Sequence, residues 1–262
     1  MAFHQSNHLR YYSFDLFENE SIFQGIFTRH GGVSPAPWSS LNTSGLSGDL
    51  RENIVENRRR IFSEFQLPVE SIFDVWQVHS AEIIATDRTR PLDEPHMKAD
   101  AIITNRQDVT LFMRFGDCVP ILFHDPIQKV IAIAHAGWPG TVAKIVQKTV
   151  IELNKRYQCD PRNILAGIGP SICVDHYEVK HDVIEQVQSA MGCDAGEVLM
   201  RREGRTYLDL WRMNQIQLLQ AGLSGDHIAV SGECTAENLA DWYSHRGEHG
   251  KTGRFGALLA LK

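Results

Sequence analysis

Several features that would assign a protein to a specialised class are missing from this sequence. Its 262 residues contain no apolar run of the roughly 18 residues needed to cross a bilayer, so we expect no membrane association. The net charge is −6, and the scattered basic residues form no excess of the kind that nucleic-acid binding needs. The segment Met1–Tyr12 has no apolar stretch of signal-peptide length.

Cysteine is scarce and odd in number, which argues against a disulfide-stabilised fold. The five cysteines are widely separated, at Cys118, Cys159, Cys173, Cys193 and Cys234. Without a secretion signal, this pattern favours reduced thiols in a cytoplasmic protein. What is present, 43% hydrophobic and 22% charged residues, is typical of a globular protein that buries a substantial core.

Strand-like and helix-like stretches alternate along the whole chain, without a linker or a repeat. The residue patterns predict strands beginning at Ser21 and spanning Ile72–Val78, Ala99–Thr104, Val109–Phe115, Val119–His124, Val130–His135, Ile164–Ile168, His227–Ser231 and Arg254–Leu261. They predict helices over Leu50–Phe65, Thr141–Arg156, Lys180–Met191 and Asp209–Ala221. We therefore predict an α/β fold, a single layered mixed-sheet domain over residues 1–262 with flanking helices.

Some of these elements carry further predictions. The nearly continuous apolar runs LFMRF and VIAIAH are typical of strands covered on both faces. Asp49 with Glu52 resembles a capping box, and Thr141 is a good N-cap for the helix that follows His135. Since helix N-termini attract anions, a helix starting at Thr141 would favour phosphate or carboxylate near His135.

Three short segments place a metal-capable side chain at the mouth of a predicted strand. They contain His79, Cys118 and His135. Two imidazoles and one thiolate would leave the fourth tetrahedral position of a zinc ion free, which is the arrangement of a catalytic site. The spacing resembles no local zinc motif. A competing interpretation uses Cys118 as a nucleophile with His135 as its base, although the neighbouring Asp117 would raise the pKa of a free thiol.

Arginines and glycines at other positions have two interpretations each. Arg58 falls on the apolar face of its predicted helix. It is either an anion ligand or an arginine whose long side chain carries its charge to the edge of that face. The Gly31-Gly32 pair after Arg29 is an ordinary turn or an anion-binding backbone. The segment Tyr243–Arg246 is a surface turn or a substrate contact.

Taken together, the sequence resembles the YfiH family, also called the laccase-domain or polyphenol-oxidase-like family. The collinear matching stretches cover nearly the whole chain: TRHGGVSPAPWSSLN (Thr28–Asn42), NIVENRR (Asn53–Arg59), WQVHS (Trp76–Ser80), KADAIIT (Lys98–Thr104), GDCVPILFHDP (Gly116–Pro126), IAHAGWPGT (Ile133–Thr141), GIGPSIC (Gly167–Cys173), EV (Glu178-Val179), CT (Cys234-Thr235) and WYSHR…TGR (Trp242–Arg254).

The resemblance implies a zinc enzyme of purine nucleosides. It implies that His79, Cys118 and His135 bind the zinc, and that the α/β fold is related to the catalytic domain of cytotoxic necrotizing factor toxins. The implied activities are phosphorolysis of adenosine, inosine, guanosine and methylthioadenosine, and deamination of adenosine. The implied partners are small molecules, a nucleoside and phosphate, with the chain a monomer or small homo-oligomer.

The family pattern also directs attention to residues around the metal. We expect Cys118, Asp117 and His135 to be catalytic, with Asp117 a proton carrier or an orienting residue. Substrate-binding side chains are expected at Arg29, Asn42, Arg58 and Arg246. The family usually has a basic residue where this chain has Pro139, so phosphate binding would rely more on these arginines. Gly116 stands where the family commonly has alanine.

Three other functions remain open at this point. An amide hydrolase or editing enzyme acting on peptidoglycan precursors could use the same cysteine and histidines. A binding protein with structural zinc would normally supply four protein ligands, whereas this set supplies three. A copper-dependent polyphenol oxidase would need many more histidine ligands.

Overall fold

The computed structural model describes residues 2–6, 8–18 and 21–262, and its frame consists of two six-stranded mixed sheets. In order across the first sheet, the strands are β1 (Ala2–Ser6), β2 (Leu9–Ser13), β3 (Ile22–Phe27), β15 (Phe255–Leu261), β7 (Thr110–Phe115) and β4 (Ile72–Phe73). Across the second sheet they are β14 (Ile228–Val230), β10 (Leu165–Ile168), β8 (Val119–Asp125), β9 (Val130–Ala136), β6 (Ala101–Thr104) and β5 (Ile83–Ala85).

Six helices and a small three-stranded sheet complete the described part of the chain. The helices are α1 (Arg51–Glu64), α2 (Trp138–Val142), α3 (Ile145–Tyr157), α4 (His181–Met191), α5 (Ala195–Val198) and α6 (Leu210–Gln220). The small sheet contains β11 (Glu178–Val179), β13 (Arg205–Leu208) and β12 (Leu199–Arg202).

The two large sheets pack face to face over a shared apolar core. Leu111 of β7 and Leu259 of β15 belong to the same buried cluster as Leu122 of β8 and Ile133 of β9. Each buried side chain of this size contributes about 1.5–3 kcal/mol of hydrophobic stabilisation relative to exposure. The sandwich therefore joins the beginning, middle and end of the chain in one core.

Helices cover both outer faces of this sandwich. Val146 and Val150 of α3 pack with Ala132 and Ala134 of β9, and α4 and α6 contribute to the same cluster. On the opposite side, Phe62 of α1 packs with Phe112 and Leu258. The order of layers is thus helix, sheet, sheet, helix. This confirms the mixed α/β fold with flanking helices and the prediction that the LFMRF and VIAIAH strands are covered on both faces.

The sheet arrangement and two helix starts differ from the sequence predictions. Two sheets are present where the pattern was interpreted as one, because one covering layer for LFMRF and VIAIAH is another sheet. Asp49 accepts hydrogen bonds from the Leu50 backbone and the Asn53 side chain, while Leu50 is the N-cap. The capping-box prediction is therefore wrong. Thr141 lies buried inside α2, whose N-cap is Gly137.

The predicted helix Thr141–Arg156 is divided into two. Lys144 has a left-handed backbone with φ of 63°, which separates the five-residue α2 from α3. Helix α2, the first helix after His135, therefore begins at Trp138, three residues earlier than predicted, and is only about one turn long. Predicted strand Ile72–Val78 also ends early, at Phe73, and then makes a single bridge between Trp76 and Lys98.

Within the described ranges, the search for membrane-spanning helices found no segment with the necessary length and apolarity.

Candidate metal centre

The three predicted metal ligands lie at one end of the second sheet. Strands β8 and β9 are antiparallel, and Val119 pairs with Ala136, so the start of β8 adjoins the end of β9. This pairing places Cys118, directly before β8, beside His135. The loop before β5 brings His79 to the same edge, since β5 and β6 pair in parallel there.

The ligand atoms of these three residues converge. One sulfur or ring nitrogen of each of His79, Cys118 and His135 lies within 4.8 Å of the other two. The imidazole rings of His79 and His135 are 4.9 Å apart between centroids and tilted by 67°. The set ranges from exposed His79 through half-buried Cys118 to buried His135, so one side of the group faces solvent.

Asp100 fixes both histidines, although no sequence prediction singled it out. Its Oδ1 lies 2.9 Å from His135 Nδ1 and accepts a 3.0 Å bond from the His79 backbone N–H. Its Oδ2 accepts bonds from the backbone N–H groups of Val78 and Ser80. A carboxylate on Nδ1 leaves Nε2 of His135 for the metal side, as is usual for metal-ligating histidines.

The backbone around the site leaves little room for other side chains. His79 has a left-handed backbone, with φ of 59°, held in place by its bond to Asp100. A Cβ atom on Gly137 would lie 2.9 Å from Cys118 Sγ and 3.0 Å from His79 Cδ2. Glycine at position 137 therefore allows the cysteine and histidine to approach each other.

The electrostatics favour a thiolate next to an imidazolium when no metal is bound. Burial alone would raise the pKa of Cys118, but the charge and hydrogen bond of His135, with a smaller contribution from His79, lower it to about 6. Burial alone would lower the pKa of His135, but Cys118 and Asp100 raise it to about 9. The thiolate form is the one that binds metals.

The donor set fits zinc. A tetrahedral zinc ion holds its ligand atoms roughly 3.3–3.8 Å apart, given Zn–S of about 2.3 Å and Zn–N of about 2.0 Å. Donor atoms within 4.8 Å of one another reach that spacing through small side-chain rotations. Magnesium and calcium prefer oxygen ligands, which this set does not offer. The group can hold one soft or borderline cation.

Asp117 lies beside the metal ligands and is held from three sides. Its Oδ1 accepts a 2.7 Å bond from the Thr235 hydroxyl, and its Oδ2 accepts a 2.6 Å bond from the Arg246 backbone N–H. Its backbone carbonyl accepts from the N–H of Ile172, and its φ is 90°. Both carboxylate oxygens thus accept a hydrogen bond from the protein, and the predicted role of Asp117, as a proton carrier or an orienting residue, stays a prediction.

Two arginines stand next to these ligands. The guanidinium of Arg246 is exposed and lies 5.2 Å from the ring centroid of Tyr177. Arg254 packs against Gly116, where a Cβ would approach its Cδ to 2.8 Å. Burial lowers the pKa of Arg254, while the charges of Cys118 and Asp117 oppose that shift. Arg254 was not predicted as a site residue, and its only signal was its place in the TGR segment.

Known proteins match this chain over nearly its whole length. Residues 23–262 match the family model described as multi-copper polyphenol oxidoreductase laccase. The chain belongs to this family. The crystal structure of the hypothetical protein YfiH from Bacillus licheniformis superposes with a TM-score of 0.92 at 29% identity, covering 99% of each chain. The resemblance to the YfiH family is therefore confirmed.

Two curated relatives carry the name of an activity. The purine nucleoside phosphorylase of Deinococcus radiodurans (strain ATCC 13939) is 38% identical over 246 residues, covering 93% of this chain and 90% of the relative. Purine nucleoside phosphorylase YlmD of Bacillus subtilis (strain 168) is 34% identical over 250 residues, with 93% and 90% covered. The chain thus aligns with nearly the full length of these proteins.

Three other predicted substrate-binding residues, Arg29, Arg58 and Asn42, are hydrogen-bonded within the protein. Arg29 donates to the carbonyl of Leu239, pairs with Glu248 at 3.1 Å and lies over the Tyr243 ring. Arg58 donates to the Thr43 carbonyl. Both guanidinium groups are thus engaged with the protein.

Asn42 is fully buried and joins the loop over residues 42–49 to the segment that carries Arg254. Its amide nitrogen donates to Ser47 and Asp49, and its oxygen accepts from the backbone N–H of Arg254. A substrate contact would require these bonds to break. The side chain as it stands fastens the loop against the segment that carries Arg254, and its predicted role toward substrate stays a prediction.

Proposed function

We propose that the protein is a zinc-dependent purine nucleoside phosphorylase acting on adenosine, inosine, guanosine and methylthioadenosine, and that the same site deaminates adenosine. The observation that carries the proposal is the Asp100-oriented set of His79, Cys118 and His135, with one side facing solvent. The names of two relatives supply the nucleoside and the phosphorolysis.

In this proposal the two histidines and the cysteine hold zinc, and the rest of the site positions substrate. A zinc ion bound there would supply a Lewis acid at the solvent-facing end of the sheet. Asp100 keeps the His135 ring in one orientation. Asp117 keeps the chain at Arg246 in place through its bond to the backbone N–H. Tyr177, under the Arg246 guanidinium, offers an aromatic surface beside it.

Phosphate is assigned to Arg246 and Arg254 rather than to a residue at position 139. Pro139 occupies the first turn of α2, where proline fits because its missing N–H would have no helical partner. Arg254 reaches its place because Gly116 has no Cβ.

The direct test is an activity assay on zinc-loaded protein. Inosine with phosphate is expected to yield hypoxanthine and ribose 1-phosphate, with no hypoxanthine formed when phosphate is left out. Adenosine is expected to yield adenine with phosphate and inosine by deamination. Products separated by chromatography would decide each activity. Hypoxanthine formation from inosine at equal rates with and without phosphate would contradict phosphorolysis.

We expect Arg254→Ala to raise the KM for phosphate about 10- to 100-fold while leaving zinc content unchanged, because one charge-assisted bond contributes about 1.5–3 kcal/mol. Arg106→Ala is the matched control, since Arg106 is exposed and pairs with Asp108. Arg29→Ala and Arg58→Ala test the earlier assignment. A normal phosphate response in Arg254→Ala, with a weakened one in Arg58→Ala, would reverse it.

A second candidate function has its own structural support. Asp100, His135 and Cys118 form an acid–imidazole–thiol chain, and the thiol pKa of about 6 suits a nucleophile. An amide hydrolase acting on peptidoglycan precursors would use that chain without metal. His79 favours the metal-binding function, because it adds a third potential metal ligand next to Cys118 and His135.

The pH dependence of thiol alkylation tests this electrostatic picture. In metal-free protein, the Cys118 pKa of about 6 lies below the ordinary value near 8.5, so the thiolate is populated above pH 6. The alkylation rate of Cys118 by iodoacetamide, followed by peptide mass spectrometry, is expected to rise to a plateau just above that pH. Added zinc should protect the thiol. A midpoint near 8.5, or alkylation unaffected by zinc, would count against the site described here.

Copper oxidase chemistry, which the family description names, is less well supported by the donor set. The group of His79, Cys118 and His135 holds a single ion. The other metal-capable group found in the described residues (Cys173, His176, Cys234 and Glu237) has one histidine, whereas multicopper sites need many more histidine ligands. Elemental analysis of the purified protein distinguishes the metals. Stoichiometric copper, together with phenol oxidation that Cys118→Ala abolishes, would overturn the zinc proposal.

A further inference from the structure

A second group of metal-binding side chains lies near the same end of the second sheet. This second cluster consists of Cys173, His176, Cys234 and Glu237, and one ligand atom of each lies within 4.8 Å of the other three. The cluster contains two pairs with the same local spacing, Cys-x-x-His and Cys-x-x-Glu. Two short chelating loops of this kind are a common way to build a structural zinc site.

The sheet topology brings these two loops together. Strands β10 and β14 are parallel neighbours, so the chain leaves both at the same end. Beyond the strands, Ser171 N–H donates to the Glu233 carbonyl at 3.1 Å, and Thr235 N–H donates to the Ser171 carbonyl at 3.0 Å. The two cysteines, although 61 residues apart, are thus held against each other by backbone pairing.

The distances within the second cluster fit a tetrahedral cation. His176 Nδ1 lies 3.2 Å from Cys173 Sγ and 3.5 Å from Cys234 Sγ. A zinc ion with one imidazole and two thiolates separates nitrogen from sulfur by roughly 3.5 Å. The four side chains supply two sulfurs, one nitrogen and one oxygen, which is a complete ligand set for zinc.

Backbone N–H groups also face the two sulfurs. The Cys173 N–H donates to Cys234 Sγ at 3.3 Å, and the N–H groups of Ala236 and Glu237 face the same sulfur. The N–H groups that follow Cys173, at Asp175 and His176, face its own sulfur. The same N–H groups would hydrogen-bond the sulfurs once a bound cation holds them as thiolates.

The four residues of the second cluster differ in solvent exposure. Cys173 and Cys234 are 8% and 6% exposed, while His176 and Glu237 lie on the surface. An ion can therefore enter from solvent and be closed off by the two outer side chains. We propose that the second cluster binds one zinc ion in a closed, four-ligand structural site, distinct from the His79–Cys118–His135 centre.

A zinc ion there would fasten the surroundings of Asp117. Ile172, next to Cys173, donates its N–H to the Asp117 carbonyl, and Thr235, next to Cys234, donates its hydroxyl to the Asp117 carboxylate. The second site would thus brace two of the three segments that hold Asp117. This inference concerns metal content and stability, and it does not rest on the proposed activity.

Zinc stoichiometry tests the proposal directly. Wild-type protein loaded with zinc chloride and desalted is expected to contain about two zinc ions per chain, and the double variant Cys173→Ser/Cys234→Ser about one. Cys193→Ser is the matched control, since Cys193 is exposed and lies outside both clusters. Equal zinc content in the wild type and the double variant would overturn the proposal.

Cobalt spectroscopy separates the two sites. In Cys118→Ser protein the first centre has no thiolate, so cobalt–thiolate charge-transfer absorption must come from the second cluster. We expect that absorption on adding cobalt chloride, and its loss when Cys234→Ser is added. The exposed-residue variants His176→Ala and Glu237→Gln, which leave the core intact, are each expected to weaken cobalt binding about tenfold or more.

Two outcomes of these measurements would overturn the proposal. One is the absence of thiolate absorption in folded Cys118→Ser protein at saturating cobalt. The other is a Cys173–Cys234 disulfide in intact-mass measurements of protein purified under reducing conditions, because an oxidised pair cannot bind the ion. Circular dichroism on each variant checks that the protein has folded before either outcome is scored.

Discussion

Replacing Cys118 with alanine is expected to remove one zinc ion per chain and to lower kcat/KM for phosphorolysis by about 10³-fold or more. The loss follows because the thiolate is one of only three protein donors at the centre and a Lewis acid contributes several kcal/mol to catalysis. Zinc analysis and steady-state kinetics on the same preparation measure both quantities. Cys193→Ser should leave both unchanged.

Cys118→Asp separates a metal ligand from a nucleophile. A carboxylate binds zinc, so this variant is expected to keep zinc with reduced affinity and to lose only about 10- to 100-fold in kcat/KM. In an enzyme that attacks its substrate through the thiol, aspartate would be as inactive as alanine. Equal inactivity of the two variants, with zinc still bound to the aspartate variant, would favour the hydrolase alternative.

Local sequence pattern predicted the elements better than their assembly. LFMRF and VIAIAH are buried strands because their side chains alternate between two apolar layers. The pattern cannot say whether such a layer is a helix or a second sheet. Strand β15 pairs with β3 on one side and β7 on the other, so the last strand completes a sheet begun near the start of the chain.

Short polar strands escaped prediction for a different reason. Strands β12 and β13 form a hairpin through Glu203 and Gly204, both with positive φ, as two-residue hairpin turns require. Their side chains are exposed or half-buried, except for Leu208, so hydrophobic periodicity gives little signal there. The turn itself, with its glycine, was the signal that could have located them.

The predicted metal ligands were proposed from their positions at strand ends and strengthened by the family resemblance, because their spacing alone matches no zinc motif. The second cluster had a clearer local pattern, Cys-x-x-His and Cys-x-x-Glu, but the two halves are far apart in the chain. Only the parallel pairing of β10 with β14 brings them together. Arg29 and Asn42 lie in segments that match the family, yet the side chains of both are hydrogen-bonded within the protein.

Asp100 was not predicted because an aspartate directly before an apolar strand can serve several purposes, and the sequence alone does not distinguish them. Its side chain is fully buried and accepts five hydrogen bonds, from three backbone N–H groups, the Ser80 hydroxyl and the His135 ring. Burial by itself raises the pKa of Asp100, but the bonds and charge of His135, with the bonds of Ser80, lower it to about 2. The carboxylate therefore stays ionised at any working pH.

Asp100→Asn is expected to destabilise the metal-free protein by about 2–5 kcal/mol and to weaken zinc binding about 10- to 100-fold. The amide NH₂ must replace one of the two oxygens, and both accept N–H donors. At Oδ2 it would face the N–H groups of Val78 and Ser80; at Oδ1 it would face those of His79 and His135. Either orientation turns accepted bonds into donor–donor contacts, and the second also breaks the bond to the His135 ring.

The stability difference between the wild type and Asp100→Asn is also expected to depend on pH. A carboxylate with a folded pKa near 2 and an ordinary unfolded value near 3.8 contributes about 2 kcal/mol above pH 4, and that stability disappears as pH falls through 2. Denaturant unfolding of metal-free protein should therefore show a wild-type advantage that is largest between about pH 4 and pH 6.5 and shrinks below pH 4. It should also decline as pH rises toward 9, because Asp100 helps to raise the pKa of His135 to about 9. Asp108→Asn, at an exposed surface pair, should show none. An Asp100→Asn protein with wild-type stability and wild-type zinc affinity would mean that the histidines orient themselves without the carboxylate.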